Sequence, residues 1–353
     1  MKAMLVGAVA LCGLFALTSC GLGNLQDMRS GLPGDKQVKI ALKGNADNGQ
    51  ALVDDETKMA GFYELTYGVT RGVNGMVLVL LGVTRWIINQ PPSEQPDDDH
   101  AVWGPTDPEG LERIQYKATA ERVEEGHFVF ELLGRPKSST DEADYKAIYS
   151  VEYYRAGVER GHGTITVDRD NHKLIDPLND DICETGSAVV TFANDGADSD
   201  KVVDIDFSQL DRSGCSDKGQ MGRYHYAEAE DGSGDFSFSA SNNIHQDNEN
   251  KPQIETMTIR SQWTAEGAGR SDVIVEGGEV TTDLANCTTC EGATRVVVSQ
   301  CWDEDFISRY ENTSPAALQS LLLPGLDGQG ALNPTGDEAA DCAFQFAEPA
   351  PQV

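Results

Sequence analysis

Residues 61–92 read GFYELTYGVTRGVNGMVLVLLGVTRWIINQPP. Phe62, Leu65, Val69, Val73, Met76, Leu80, Val83 and Ile87 recur in it at three- and four-residue steps, the period of an amphipathic helix. Upstream, Asp54-Asp55-Glu56 supplies an N-cap and an acidic first turn, and downstream Pro91-Pro92 stops the helix at Asn89-Gln90. Gly61, Gly68, Gly72, Gly75 and Gly82 fall on one stripe of the same helix. Each glycine costs helix stability, up to about 1 kcal/mol against alanine, and a stripe without side chains lets another backbone come close. From Gly72 to Thr84 the segment is apolar or small nearly all round, the pattern of an enclosed helix. A membrane span is the weaker reading, because Arg71 and Arg85 leave only residues 72–84 between them and a crossing needs ~20 apolar residues. The expectation is a helix buried inside a domain.

From Trp103 onward the period changes. Glycine-rich turns punctuate short alternating runs: Glu125-Gly126 within 122–132, Gly157 to Gly161 within 149–167, Asp231-Gly232-Ser233-Gly234 within 224–239, and Glu266-Gly267-Ala268-Gly269 within 257–275. Alternation such as Phe236 with Phe238, or Val273 with Val275, marks half-buried strands joined as hairpins. Roughly ten to twelve strands in meander order are expected, and no internal repeat supports a propeller or solenoid. Such a sheet needs cover on its apolar face, and the long helix is the available filler. The expected fold is mainly β: a curved antiparallel sheet or incomplete β-barrel clasping one long N-terminal helix, with a disulfide-bonded C-terminal tail. The tail from Cys287 holds Cys301-Trp302-Asp303, a short helix candidate over 314–323 and a Pro-rich end, and reads as an appendage.

The N-terminus carries a different signal. Lys2 precedes an apolar stretch over residues 4–17, which ends in Leu17-Thr18-Ser19-Cys20. This is a signal-peptide layout with a small residue before the cut. Its last four residues resemble the bacterial lipobox, and the resemblance implies cleavage before Cys20 and a diacyl or triacyl lipid on that thiol. Cys12 follows the bulky Leu11 and leaves with the signal. One acyl chain holds a protein only marginally, so two or three are what make attachment stable. Gly21 replaces the Asp that retains lipoproteins at the inner membrane, which by the same resemblance favours the outer membrane, on its periplasmic or surface face. Residues 20–50, rich in Gly, Asp and Asn, read as a flexible tether. The expected organisation is a signal over 1–19, the tether over 20–50, the helix and sheet over 51–300, and the appendage over 301–353.

The 353 residues carry 27 basic and 58 acidic side chains, a formal net charge of −31, which becomes −32 when Lys2 is removed with the signal. That balance repels nucleic acid and anionic surfaces. Six cysteines follow Cys20: Cys183, Cys215, Cys287, Cys290, Cys301 and Cys342. An even number in an exported chain points to three disulfides. Cys183 and Cys215 lie near the open base of a hairpin formed by 187–192 and 202–207, so these two are expected to pair.

Signals for chemistry are sparse. Cys287-Thr288-Thr289-Cys290 is a CxxC element, but a redox pair wants a helix N-terminus that lowers the first thiol's pKa. Here the element lies between a strand and Glu291-Gly292 in acidic surroundings, and zinc would need Cys287, Cys290, Cys301 and Cys342 all reduced outside the cytosol. Structural disulfides are the expected reading. His100, His127, His162, His172, His225 and His245 fall in no metal-ligand spacing, and Gly232-Ser233-Gly234 lacks the GxSxG spacing of a nucleophile elbow. Acidic groups at 97–99, 168–170, 195–200 and 204–206 match no EF-hand and read as turns and solvated strand faces. No catalytic residue, metal ligand or cofactor is expected.

Trp103-Gly104-Pro105 and Cys301-Trp302-Asp303, set in a glycine-turned β body, resemble elements of acidic lipoproteins of myxobacterium-like bacteria. That resemblance implies no activity. The expected function is a non-catalytic envelope lipoprotein, held on a membrane through Cys20, whose concave β body binds a hydrophobic small molecule or an envelope protein. The alternative is a structural or adhesive surface protein, with calcium on its acidic faces; an enzyme ranks last.

Overall fold

The structure is a computed structural model and describes residues 26–29, 31–34, 38, 60–107, 112–179, 183–196, 200–215, 219–243, 252–290, 292–318 and 335–346. Helix α1 (Gly61–Asn89) runs for 29 residues and stops where Pro91-Pro92 require, with Gln90 already extended. Asp54-Asp55-Glu56 lies outside the described residues. The strands are β1 (His100–Trp103), β2 (Ile114–Glu124), β3 (His127–Pro136), β4 (Lys146–Gly157), β5 (Arg160–Asp168), β6 (Thr185–Asn194), β7 (Lys201–Asp206), β8 (Leu210–Asp211), β9 (Gln220–Glu228), β10 (Gly234–Asn242), β11 (Glu255–Trp263), β12 (Gly269–Gly277), β13 (Arg295–Trp302) and β14 (Ser308–Ser314). Short helices α2 (Arg169–Ile175), α3 (Gly278–Asn286) and α4 (Glu338–Asp341) also occur.

All 14 strands join one antiparallel meander; β8 pairs with β6 off the main path, which lets β7 pair with β9. The glycine-rich turns fall where the sequence puts them, and Gly126 and Gly232 adopt φ of 82° and 87°, a region that side chains disfavour. There are more strands than expected because β1 and β8, of four and two residues, are too short to show a period. β1 and β14 are the two ends of the path, so the sheet is an open one.

Helix α1 lies across this sheet, running opposite to strand order. Phe62 N–H donates to Gln300 Oε1 on β13 at 2.8 Å, Thr66 meets Ser261 on β11, Thr84 Oγ1 donates to Tyr149 OH on β4 at 3.1 Å, and Trp103 Nε1 on β1 reaches Gln90 O at 2.9 Å. From β13 to β1 the strand spacings sum to about 53 Å. The helix is only about 43 Å long, so the sheet must curve around it as a bow around its string. One continuous core results, in which Ile259, Val273 and Val298 align across β11, β12 and β13 and pack in one cluster with Phe62, Val77 and Leu81.

Three expectations need correction. The buried face of α1 is Phe62, Tyr63, Thr66, Thr70, Val77, Leu81, Thr84 and Ile88, rotated by about a residue from the expected apolar stripe. Threonines sit inward because the sheet offers them hydroxyl partners: Thr66 Oγ1 lies 2.8 Å from Ser261 Oγ, which donates to Ser271 Oγ at 3.0 Å. The glycine stripe consequently turns away from the sheet, and a Cβ built at Gly61, Gly68, Gly72, Gly75 or Gly82 would meet nothing within 4 Å. Among the described residues, α1 is covered on one side only.

The second correction concerns the tether. Its described residues are docked: Met28, Leu32 and Val38 are buried in the main core, and Asp27 pairs with Arg155 at 2.8 Å and Arg122 at 3.4 Å. Arg29 Nε donates to Ile88 O at 2.9 Å, and Arg85 reaches Pro33 O. Scattered apolar residues at 28, 32 and 38 lack a sustained period, yet each finds the core.

The third is the C-terminal boundary. The boundary at 300/301 falls inside β13, and β14 is an integral strand, so the tail begins after the sheet is complete. Cys301 bonds Cys342, and Arg270 Nη1 donates to Glu338 Oε1 at 2.5 Å. On the sheet face opposite α1, Asp272 lies between Arg260 Nη2 at 2.8 Å and Arg270 Nε at 2.9 Å, with both guanidinium groups over the Phe346 ring. Of the helix candidate over 314–323, the described part is the end of β14 and a 3-10 turn at Ala316–Leu318.

Candidate functional site: the outward face of α1

Rotation of α1 onto its threonine face decides what remains outside. Met76, Val79, Val83 and Trp86 are 37 %, 66 %, 46 % and 57 % exposed, and Gly68, Gly72, Gly75 and Gly82 lie among them. Between Arg71 and Asn89 this outward strip carries no charge. Scattered exposed apolar residues are ordinary; a contiguous strip along one helix marks a contact surface. By length and composition α1 is long and apolar enough to cross a membrane. Its inward face, however, is committed to the sheet by the Thr66, Thr84 and Phe62 hydrogen bonds. Burial of the Tyr149 hydroxyl pushes its pKa up to about 12, so it stays protonated beneath the helix.

Both ends of the strip are held. At the N-terminal end Tyr63 packs on Phe306 with ring centroids 4.5 Å apart and on Trp302 at 5.8 Å, while Ala60 N–H donates to Phe306 O at 2.9 Å. At the C-terminal end Arg29 and Trp103 occupy the carbonyls of Ile88 and Gln90. Sequence periodicity named Met76 and Val83 but placed them in the core; the signal that could have placed them outside is the in-phase set Thr66, Thr70 and Thr84.

The other singled-out residues are dispersed. Cys183 bonds Cys215 as the hairpin geometry anticipates, Cys287 bonds Cys290, and Cys301 bonds Cys342. The CxxC element follows the C-terminus of α3 rather than a strand. That end carries partial negative charge, which disfavours a thiolate, unlike the N-terminus a redox pair uses. Cys20, the lipid-anchor residue read from the sequence, and His245 lie outside the described residues.

Histidines sit in separate carboxylate pairs. His225 bonds Asp204 at 2.6 Å and faces Asp235 at 3.4 Å, and those two carboxylates push its pKa up to about 10. His162 pairs with Asp195 at 2.9 Å, His127 with Glu152 at 2.9 Å, and His100 with Asp97 at 2.7 Å. Burial lowers the pKa of His172 on α2. Of the acidic groups, Asp168 caps α2 through Asn171 N–H at 2.8 Å, and Asp99 pairs with Arg122. Gly232-Ser233-Gly234 is a hairpin turn whose Ser233 hydroxyl donates to Asp231 at 2.6 Å. Among the described residues, no group of three or more His, Cys, Asp or Glu is arranged to hold a metal ion. No protein-family model, curated protein or solved structure matches this chain.

Proposed function

We propose that this chain is a lipid-anchored, non-catalytic protein of the bacterial cell envelope, held through Cys20 and engaging a hydrophobic envelope component with the outward face of α1. The observation that carries the reading is the bare strip Met76, Val79, Val83 and Trp86 on a helix whose other face is buried against the sheet. Binding is favoured over catalysis because the histidines are spent on neighbouring carboxylates at separate places: His225 on Asp204 and Asp235, His162 on Asp195, His127 on Glu152. The lipobox resemblance at Leu17-Thr18-Ser19-Cys20 supplies the anchor, and with Gly21 in place of Asp the same resemblance favours the outer membrane. A net charge of −31 argues against nucleic-acid partners.

Envelope fractionation tests the reading. The native protein should sediment with membranes, resist a high-salt wash and come off in detergent, whereas Cys20→Ala should accumulate as an unlipidated precursor that keeps residues 1–19. Native protein in the soluble fraction would contradict it.

A further inference from the structure

The docked N-terminal residues change how far the body stands from its anchor. A free tether over 20–50 could extend to roughly 100 Å. With residues 26–29 fixed against α1 through Arg29 and Met28, only residues 20–25 separate Cys20 from the folded body. Six residues reach at most about 20 Å, and the turn at 26–29 adds only ~5 Å. Arg29 docks on Ile88, two residues from Trp86. An anchor on Cys20 is therefore confined to within about 25 Å of the Ile88 end of α1, the end that carries Trp86.

On that basis, and resting on the lipid-anchored reading of Cys20, we propose that the hydrophobic component is the bilayer itself: the outward face of α1, from Gly72 to Trp86, lies in the membrane interface beside the anchor. An amphipathic helix so placed sinks about 5–10 Å into the headgroup–acyl boundary. Trp86 has the ring suited to that level, with an apolar body and one N–H donor. The glycines leave the helix backbone close to the lipid rather than lifted on side chains. Contact is apolar and not electrostatic, because the strip is uncharged and the chain carries a net charge of −31. Zwitterionic vesicles should therefore bind better than anionic ones, and salt should not release the face.

Trp86 reports on this directly. The other three tryptophans, Trp103, Trp263 and Trp302, are buried, so quenching by lipid isolates the exposed ring. The membrane-purified protein and its Trp86→Phe variant are reconstituted in phosphatidylcholine vesicles carrying bromines at shallow or deep acyl positions. In parallel, the mature chain is coupled through Cys20 to a maleimide lipid in the same vesicles; six of its seven cysteines are in disulfides. Expected is a loss of about half of the Trp86 emission with shallow bromines, less with deep ones, and none in Trp86→Phe. Because Trp86 is mostly exposed, that variant removes no core contact. Equal emission in brominated and ordinary vesicles overturns the proposal, as does a Trp86 shielded instead by a second copy of the chain, seen as a cross-linked dimer without quenching. Intact mass separates the two readings. A lipidated Cys20 with unquenched Trp86 sinks the helix contact alone, and an unlipidated native Cys20 sinks the anchor while the maleimide-coupled chain still decides the helix.

Discussion

Thr66 Oγ1 stands 2.8 Å from Ser261 Oγ, and this hydroxyl pair fixes which side of α1 meets the sheet. Ser261 continues the chain to Ser271 at 3.0 Å. Thr66→Val keeps the shape and removes the bond, so stability in urea should fall by about 1 kcal/mol. Ser261→Ala should then cost less in the Thr66→Val background than alone, since the two share one interaction. Full additivity in that double-mutant cycle would show that the pair does not hold the helix.

The glycine stripe makes the opposite prediction to the one its sequence invites. Were it a close-packed seam, alanine there would clash. With nothing within 4 Å of a Cβ at Gly75 or Gly82, Gly75→Ala should raise stability by roughly 0.5–1 kcal/mol through helix propensity. A drop in the thermal midpoint would mean that the stripe is covered.

Docking of the N-terminal residues depends on Gly31, where a Cβ would come within 2.6 Å of the Phe128 ring. Gly31→Ala should therefore cost ~1–3 kcal/mol of local packing. The segment holding Met28 and Leu32 should open to protease at concentrations that leave the native protein intact, while the sheet stays folded by circular dichroism. Unchanged cleavage kinetics would contradict the short connection between anchor and body.

His225 provides the pH dependence. Its hydrogen bond to Asp204, then that to Asp235, raises its pKa to about 10 in the folded protein, against ~6.5 for a free imidazole. A raised pKa means the charged form stabilises the fold. The contribution is complete below pH ~6.5 and is lost as pH climbs toward 10. Solvent screens the pair, so His225→Gln should lower stability at pH 6 by less than about 1 kcal/mol. The difference from native should close above pH 10. A gap that widens with pH would reverse the assignment.

Much of this architecture is legible in the sequence. Gly126, Gly232 and Gly267 mark turns by a local backbone requirement that no distant contact overrides, and Pro91-Pro92 ends α1 for a similar reason. Cys183 and Cys215 are within reach of each other because one hairpin brings them together. What escapes is decided by partners far along the chain. Thr66 and Thr84 count as polar in any periodicity, yet Ser261 and Tyr149 wait for them in the sheet. Met28, Leu32 and Val38 follow no period because they fill gaps in a core built by others. The candidate site shares that fate: Met76 and Val83 are visible as apolar positions, but their outward direction follows from the threonine face.

The attachment at Cys20 is tested most directly by the intact mass of the mature protein purified from membranes. The expected result is the mass of residues 20–353 with three disulfides plus a diacylglyceryl or triacyl addition on the N-terminal cysteine. An unmodified chain cut at another position would contradict it.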